Sequence, residues 1–178
     1  MANYDLYLQS SSTDAYYQAS NGLQGNTDYA VGKDNSSITY KTAVRFPNVS
    51  AGQGISVNSA KLRLYVQFNL GTTGQIRFIC TGIKEANTAS FSSNPFSRPQ
   101  TTSNVTLTKG VPNTGTTFDI DVTGIVTEIL SQGTWASGNA MGFFVVDNGS
   151  DVGAYIEDDS LKAQLLIQLV APGNFTPT

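Results

Sequence analysis

Histidine is missing altogether from the 178 residues of this chain. That removes the usual general base near neutral pH, the Ser-His-Asp and Cys-His nucleophile systems, and the commonest transition-metal ligand. Cysteine is almost as scarce. Cys80 stands alone, so no intrachain disulfide can form, and in the run FICTG it reads as a small buried hydrophobe in a strand and not as a reactive thiol. Only 13% of residues are charged, about half the usual share, and Gly, Ser, Thr and Asn fill the gap. Such a composition suits strands and turns better than long surface helices, which use Lys and Glu heavily. A net charge of −3, a pI near 4.7 and the lack of any Lys/Arg cluster exclude nucleic acid as the main partner. The longest apolar runs, such as GFFVV and LLIQLV, are too short to cross a bilayer, so no membrane partner is expected. MANYDLYLQS has no basic segment followed by an apolar one, so the expected route is synthesis in a host cytoplasm without a signal peptide. On that route the N-x-S/T triplets at Asn35, Asn48, Asn104, Asn148 and Asn174 read as unmodified.

What is present is alternation. In GISVNSAKLRLYVQF (54 to 68), Ala60, Leu62, Leu64, Val66 and Phe68 share one parity, while Lys61, Arg63, Tyr65 and Gln67 take the other. A strand sends successive side chains to opposite faces, so this segment has one face in a core and one in water. The wet face is then either an interface or a solvated exterior. Similar runs recur at 4 to 9, 14 to 19, 28 to 33, 39 to 46, 75 to 83, 104 to 108, 116 to 122, 140 to 147, 153 to 158 and 161 to 170. About ten short strands joined by Gly- and Asn-bearing turns predict an all-β fold, an antiparallel β-sandwich of the jelly-roll kind. A single domain over residues 1–170 follows, with 171–178 as an extended tail leaving through Pro172 and Gly173.

Two segments break the rhythm. In DVTGIVTEILSQG (121 to 133), Val122, Ile125, Val126, Ile129 and Leu130 recur at helical spacing, with Asp121 or Thr123 as N-cap and Gly133 as the stop. A short helix closing one end of the sandwich is expected there. Residues 86 to 104 are the least patterned, and Pro95 and Pro99 exclude a central strand, so a long surface connection and candidate contact surface is expected.

Four segments, in order, carry a family resemblance: DAYYQASNGLQGNTDYAVGK, AVRFPNVSAGQGISVNSAKLRLYV, FDIDVTGIVTEILSQGTWASGNAMGFFVV and LKAQLLIQL. Together they span most of residues 14 to 169, and they resemble the DNRLRE-type domains, jelly-roll sandwiches related in shape to carbohydrate-binding modules. The strand of the form I-x-SA-x-L-x-L and the strand-to-helix junction at FDIDVTGIV are the more specific parts. The resemblance implies a non-catalytic sandwich that binds polysaccharide or builds a stalk. Standing alone, such a module resembles phage capsid decoration proteins and fibre-tip domains.

The residues leave little room for catalysis. Asp119 and Asp121 share a parity, and Asp147, Asp151, Glu157, Asp158 and Asp159 bracket the DNGSD turn, but a glycosidase needs two carboxyls facing each other across a cleft. The same turn acids are candidates for structural calcium, although DNGSD lacks the regular D-x-D-x-D-G spacing and DNG is also a good tight turn; no other cofactor is expected. If a sugar binds, Tyr16 and Trp135 are the rings that would stack on it. The leading expectation is a structural virion protein, a capsid decoration (cement) protein bridging subunits of the major capsid protein, with a homotrimer as its natural form at a threefold position. A carbohydrate-binding module or fibre domain recognising a polysaccharide is the alternative.

Overall fold

The computed structural model describes residues 6–9, 14–25, 29–69, 74–158 and 163–170. The expected tail 171–178 lies outside them. The described chain forms β1 (Leu6–Gln9), β2 (Ala15–Ala19), β3 (Gln24–Gly25), β4 (Tyr29–Lys33), β5 (Thr39–Phe46), β6 (Val57–Tyr65) and β7 (Phe68–Asn69). It continues through β8 (Gln75–Ile83), β9 (Gln100–Gly110), β10 (Thr117–Asp121), the helix α1 (Thr123–Leu130), β11 (Met141–Asp147), β12 (Tyr155–Asp158) and β13 (Gln164–Leu169). All pairings are antiparallel. One layer has four strands in the order β1-β13-β6-β10; the other has nine and is centred on β5 and β11. The chain repeatedly changes layer, from β5 to β6 to β8 and from β9 to β10 to β11, as the jelly-roll reading requires.

The alternation places the core. Ala60, Leu62 and Leu64 of β6, Phe118 and Ile120 of β10, and Leu165 and Ile167 of β13 point inward from the small layer. They meet Val44, Phe46, Phe78, Cys80, Phe143 and Val145 from the large one. Each large apolar side chain so buried contributes roughly 1.5–3 kcal/mol. Cys80 belongs to this core, and burial pushes its thiol up to about 12, so it is a packing residue. Two hydroxyls close places where strands part. Thr42 accepts the Ala30 N–H (2.9 Å) and donates to the Ala30 carbonyl (2.6 Å), while Tyr29 does the same for Tyr65 (2.6 Å for both bonds).

The expected helix is present, with differences at its ends. Val122 occupies the N-cap position, and Asp121, one residue earlier, accepts both the backbone N–H (3.0 Å) and the hydroxyl (2.6 Å) of Thr123. The helix ends at Leu130 with Ser131 as its cap, ahead of Gly133. Its buried residues, Ile125, Val126, Ile129 and Leu130, are those the spacing nominated. No helix among the described residues is long and apolar enough to cross a membrane.

The long connection is shorter than expected. Gln100–Asn104 belong to β9, because Pro99 ends the loop and the Thr-rich run after it is free to pair with β8. Residues 84–99 lie on the outer face of the large layer, where Phe91 is buried with Tyr16, Ala43, Ile83 and Phe144 and Phe96 packs beside them. Arg45 ties the loop down. Its Nη1 pairs with the buried Asp14 at 2.5 Å and its Nε donates to the Thr88 carbonyl at 2.6 Å. The loop therefore acts as a partial third layer.

Candidate functional site

Tyr16 is 6% exposed and Trp135 3%, so neither offers a ring face to a ligand. Tyr16 does point outward from β2, as the alternation of Tyr16 and Tyr17 allows, but Phe96 meets it edge-on at 6.0 Å and its hydroxyl donates to Gln24 Oε1 at 2.6 Å. Trp135 seals the core beside α1, its Nε1–H donating to the Ala51 carbonyl at 2.9 Å. A ring with its hydrogen bond satisfied indoors packs as a structural ring, and neither Tyr16 nor Trp135 is placed as a stacking platform.

The acidic candidates are also committed. Asp119 forms a two-pronged pair with Arg63 (2.7 and 2.9 Å), which holds its carboxyl below the usual range, while Asp121 is held down by the Thr123 hydroxyl and N–H. Asp147 accepts the N–H groups of Gly149 and Ser150, both at 3.2 Å, as a turn acid does. Asp151 pairs with Arg77 at 2.6 Å and takes the Gln75 N–H at 2.8 Å; Glu157 accepts the Tyr155 hydroxyl. Among the described residues no three acids gather as a cation site would need. Asp159 lies outside them.

A cleft opens instead on the outer face of the large layer, below the part that loop 84–99 covers. It encloses about 370 Å³. Register builds it: Gln18 of β2 faces Lys41 of β5, and Lys41 faces Val146 of β11, so three strands contribute one row of outward side chains. Ser20, Thr39, Tyr40 and Asp147 complete the polar lining. Lys41 Nζ sits 4.4 Å from the centre of the Phe96 ring and, among the described residues, has no carboxylate within ion-pair distance. Asn94 donates to Gln18 Oε1 at 3.2 Å, which brings the loop to the cleft's rim. Tyr40 leans on Tyr155 with ring centres 4.7 Å apart and donates to Asp34 at 3.0 Å; burial first, then Asp34, pushes its hydroxyl up to about 12. It therefore stays a neutral donor.

The lining holds a cation, an amide, hydroxyls and a single carboxylate, Asp147. That set can hold a polar ligand by hydrogen bonds, but it lacks the second carboxyl that sugar hydrolysis requires. Apart from Asp147, none of these residues stood out in the sequence. The parity of TYKTAVRF places Thr39 and Lys41 on the outward face, but only the pairing of distant strands puts Gln18 and Asp147 beside them.

No family model matches the chain, and no curated protein does either. The resemblance to DNRLRE-type domains thus stands on the quoted segments alone. Among solved structures, the chain is similar to a non-crystalline cellulose specific carbohydrate-binding module, CBM28. The identity is 10%, the match covers 92% of this chain and 86% of that one, and the TM-score is 0.37. So loose an overlap carries no argument about ligand or site; the assignment as a β-sandwich rests on the strand pairing above.

Proposed function

We propose that this is a non-catalytic binding protein whose outer cleft, over β2, β5 and β11, takes a hydroxyl-rich ligand of the polysaccharide class. The observation that carries the reading is the lining. Lys41, which has no carboxylate partner among the described residues, the Gln18 amide, the Ser20 and Thr39 hydroxyls and Asp147 converge on an open space of ligand size. Donors and acceptors so mixed suit sugar hydroxyls, and binding of this kind needs no cofactor. The test is a glycan array, followed by titration of any hit with wild type, Gln18→Ala, Lys41→Ala and, as a control on the opposite face, Arg63→Ala. The two cleft variants should weaken binding about tenfold each while the control leaves it unchanged. An array without a hit, or a hit indifferent to the cleft variants, would end the reading.

A second reading, a virion component that decorates a capsid and bridges its major subunits, is favoured by the burial of both nominated rings. A protein interface spreads affinity over many small contacts and needs no exposed aromatic platform. Co-sedimentation with capsid shells encoded by neighbouring genes separates the readings. Retention on shells with no glycan binding selects decoration, and glycan binding weakened by Lys41→Ala selects the module.

A further inference from the structure

Among the described residues the large layer ends at β9, the longest strand at eleven residues. Which of its backbone groups are spent on β8 follows from the strand beyond. Arg77 of β8 directs its backbone toward the β11 side, since its N–H reaches Ser150 Oγ (2.8 Å) and its carbonyl accepts the Asn148 N–H (2.9 Å). The residues of the other parity, Phe78 and Cys80, must therefore turn theirs to β9, where they face Leu107 and Val105. The backbone groups of Asn104, Thr106 and Thr108 are left pointing away from the sheet, and those residues are exposed. Upstream the edge is closed, because Glu128 of α1 accepts the N–H groups of Thr102 (2.9 Å) and Ser103 (2.7 Å). From Asn104 onward no backbone or side-chain group of another described element pairs it.

Strand edges are usually blunted by brevity, charge or proline. Among the described residues β10 follows this rule, with five residues and both Asp119 and Asp121 among them. QTTSNVTLTKG has no proline and one charge, Lys109, which is drawn inward to 5.2 Å over the Phe118 ring.

We infer that β9 is a self-pairing edge, at which a second copy of this chain adds its own β9 antiparallel, about a twofold axis through Thr106. That register sets Thr106 against itself, Asn104 against Thr108 and Val105 against Leu107. The outward backbone groups of Asn104, Thr106 and Thr108 then fall opposite one another, and about six inter-chain hydrogen bonds form. Lys109 meets Ser103 and not its own copy, so no like charges face each other. Threonine pairs across the junction are among the favourable cross-strand neighbours. An isologous contact of this kind closes on itself as a dimer. The inference stands apart from the cleft reading, since the cleft lies on β2, β5 and β11.

Sedimentation velocity of the full chain over a concentration series tests it. Wild type should form dimers. Thr106→Pro, which removes only an outward N–H, should weaken dimerisation about tenfold or more while the circular dichroism spectrum is retained. Thr106→Lys should do the same by placing two ammonium groups face to face. Mixing Thr106→Lys with Thr106→Glu should restore a dimer made of one copy of each, the signature of a residue opposite itself. A wild type that stays monomeric, as it would if the edge served another chain, overturns the proposal. So does a dimer or larger oligomer indifferent to these substitutions, or a mixture that does not pair.

Discussion

The two outer faces of the sandwich are built from the same kind of alternating strand and end up in different environments. On the small layer, Lys61, Arg63 and Asp119 are half-buried and joined through the carboxylate; Asp119 takes Arg63 in a two-pronged pair and Lys61 at 3.8 Å. On the large layer, the equivalent outward positions Tyr16, Ala43 and Phe144 are buried beneath loop 84–99. The difference lies in what covers each face. A polar outward row needs nothing over it, whereas Phe144 and Ile83 would leave an apolar patch exposed unless something packed on them. Phe91 and Phe96 meet that need, and the uncovered remainder of the face becomes the cleft.

Undoing the third layer should have the largest effect on stability. Phe144→Ala removes a fully buried ring from the outer cluster and should cost about 3–5 kcal/mol in denaturant unfolding. Phe96 shares its contacts, with ring centres 5.3 Å apart, so Phe96→Ala added to Phe144→Ala should cost less than the sum of the two. Full additivity would mean that the loop does not pack as described.

Next in size is the anchor. Arg45→Ala leaves Asp14 buried without its guanidinium and frees the Thr88 carbonyl, for an expected loss of roughly 3 kcal/mol. Limited proteolysis should then cut first within 84–99. A loss near zero would show that the loop is held by its phenylalanines alone.

The small layer should respond least. Arg63→Ala is expected to cost about 1 kcal/mol or less, since the pair is partly solvated. Its pH dependence has a definite sign. The Asp119 carboxyl is lowered in the folded state, chiefly by the bond to Arg63, so its stabilisation is complete above the ordinary carboxylate value of about 3.9 and is lost as pH falls through the lower folded one. Comparing wild type with Asp119→Asn, the stability difference should be steady near neutral pH and shrink in acid. A difference that grew in acid would contradict the pairing.

Much of this contrast was legible beforehand, and the reason is period. The run at 54 to 68 alternates cleanly because one of its faces stays wet, and the helical spacing at 122 to 130 marks its buried side as clearly. Phe91 and Phe96 sit in a stretch without period, so nothing local marks them as a cover. That one of Tyr16 and Tyr17 points outward was legible from their alternation, but not that Tyr16 is covered, because the cover comes from a distant segment. Gln100 to Ser103 fell on the wrong side of the expected loop boundary for a related reason: Thr and Ser read as loop until a neighbouring strand pairs them. The cleft was least legible, being a juxtaposition of residues from three strands and no motif in any one.

The proposed ligand would sit on the uncovered part of the large layer and leave the charged face of the small layer untouched. Backbone amide NMR during titration with a panel of polysaccharide fragments tests this most directly. Shifts concentrated at residues 18–20, 39–41 and 146–147, with Lys61, Arg63 and Asp119 unmoved, are the predicted result; shifts centred on the Arg63–Asp119 face, or none with any fragment, would contradict it.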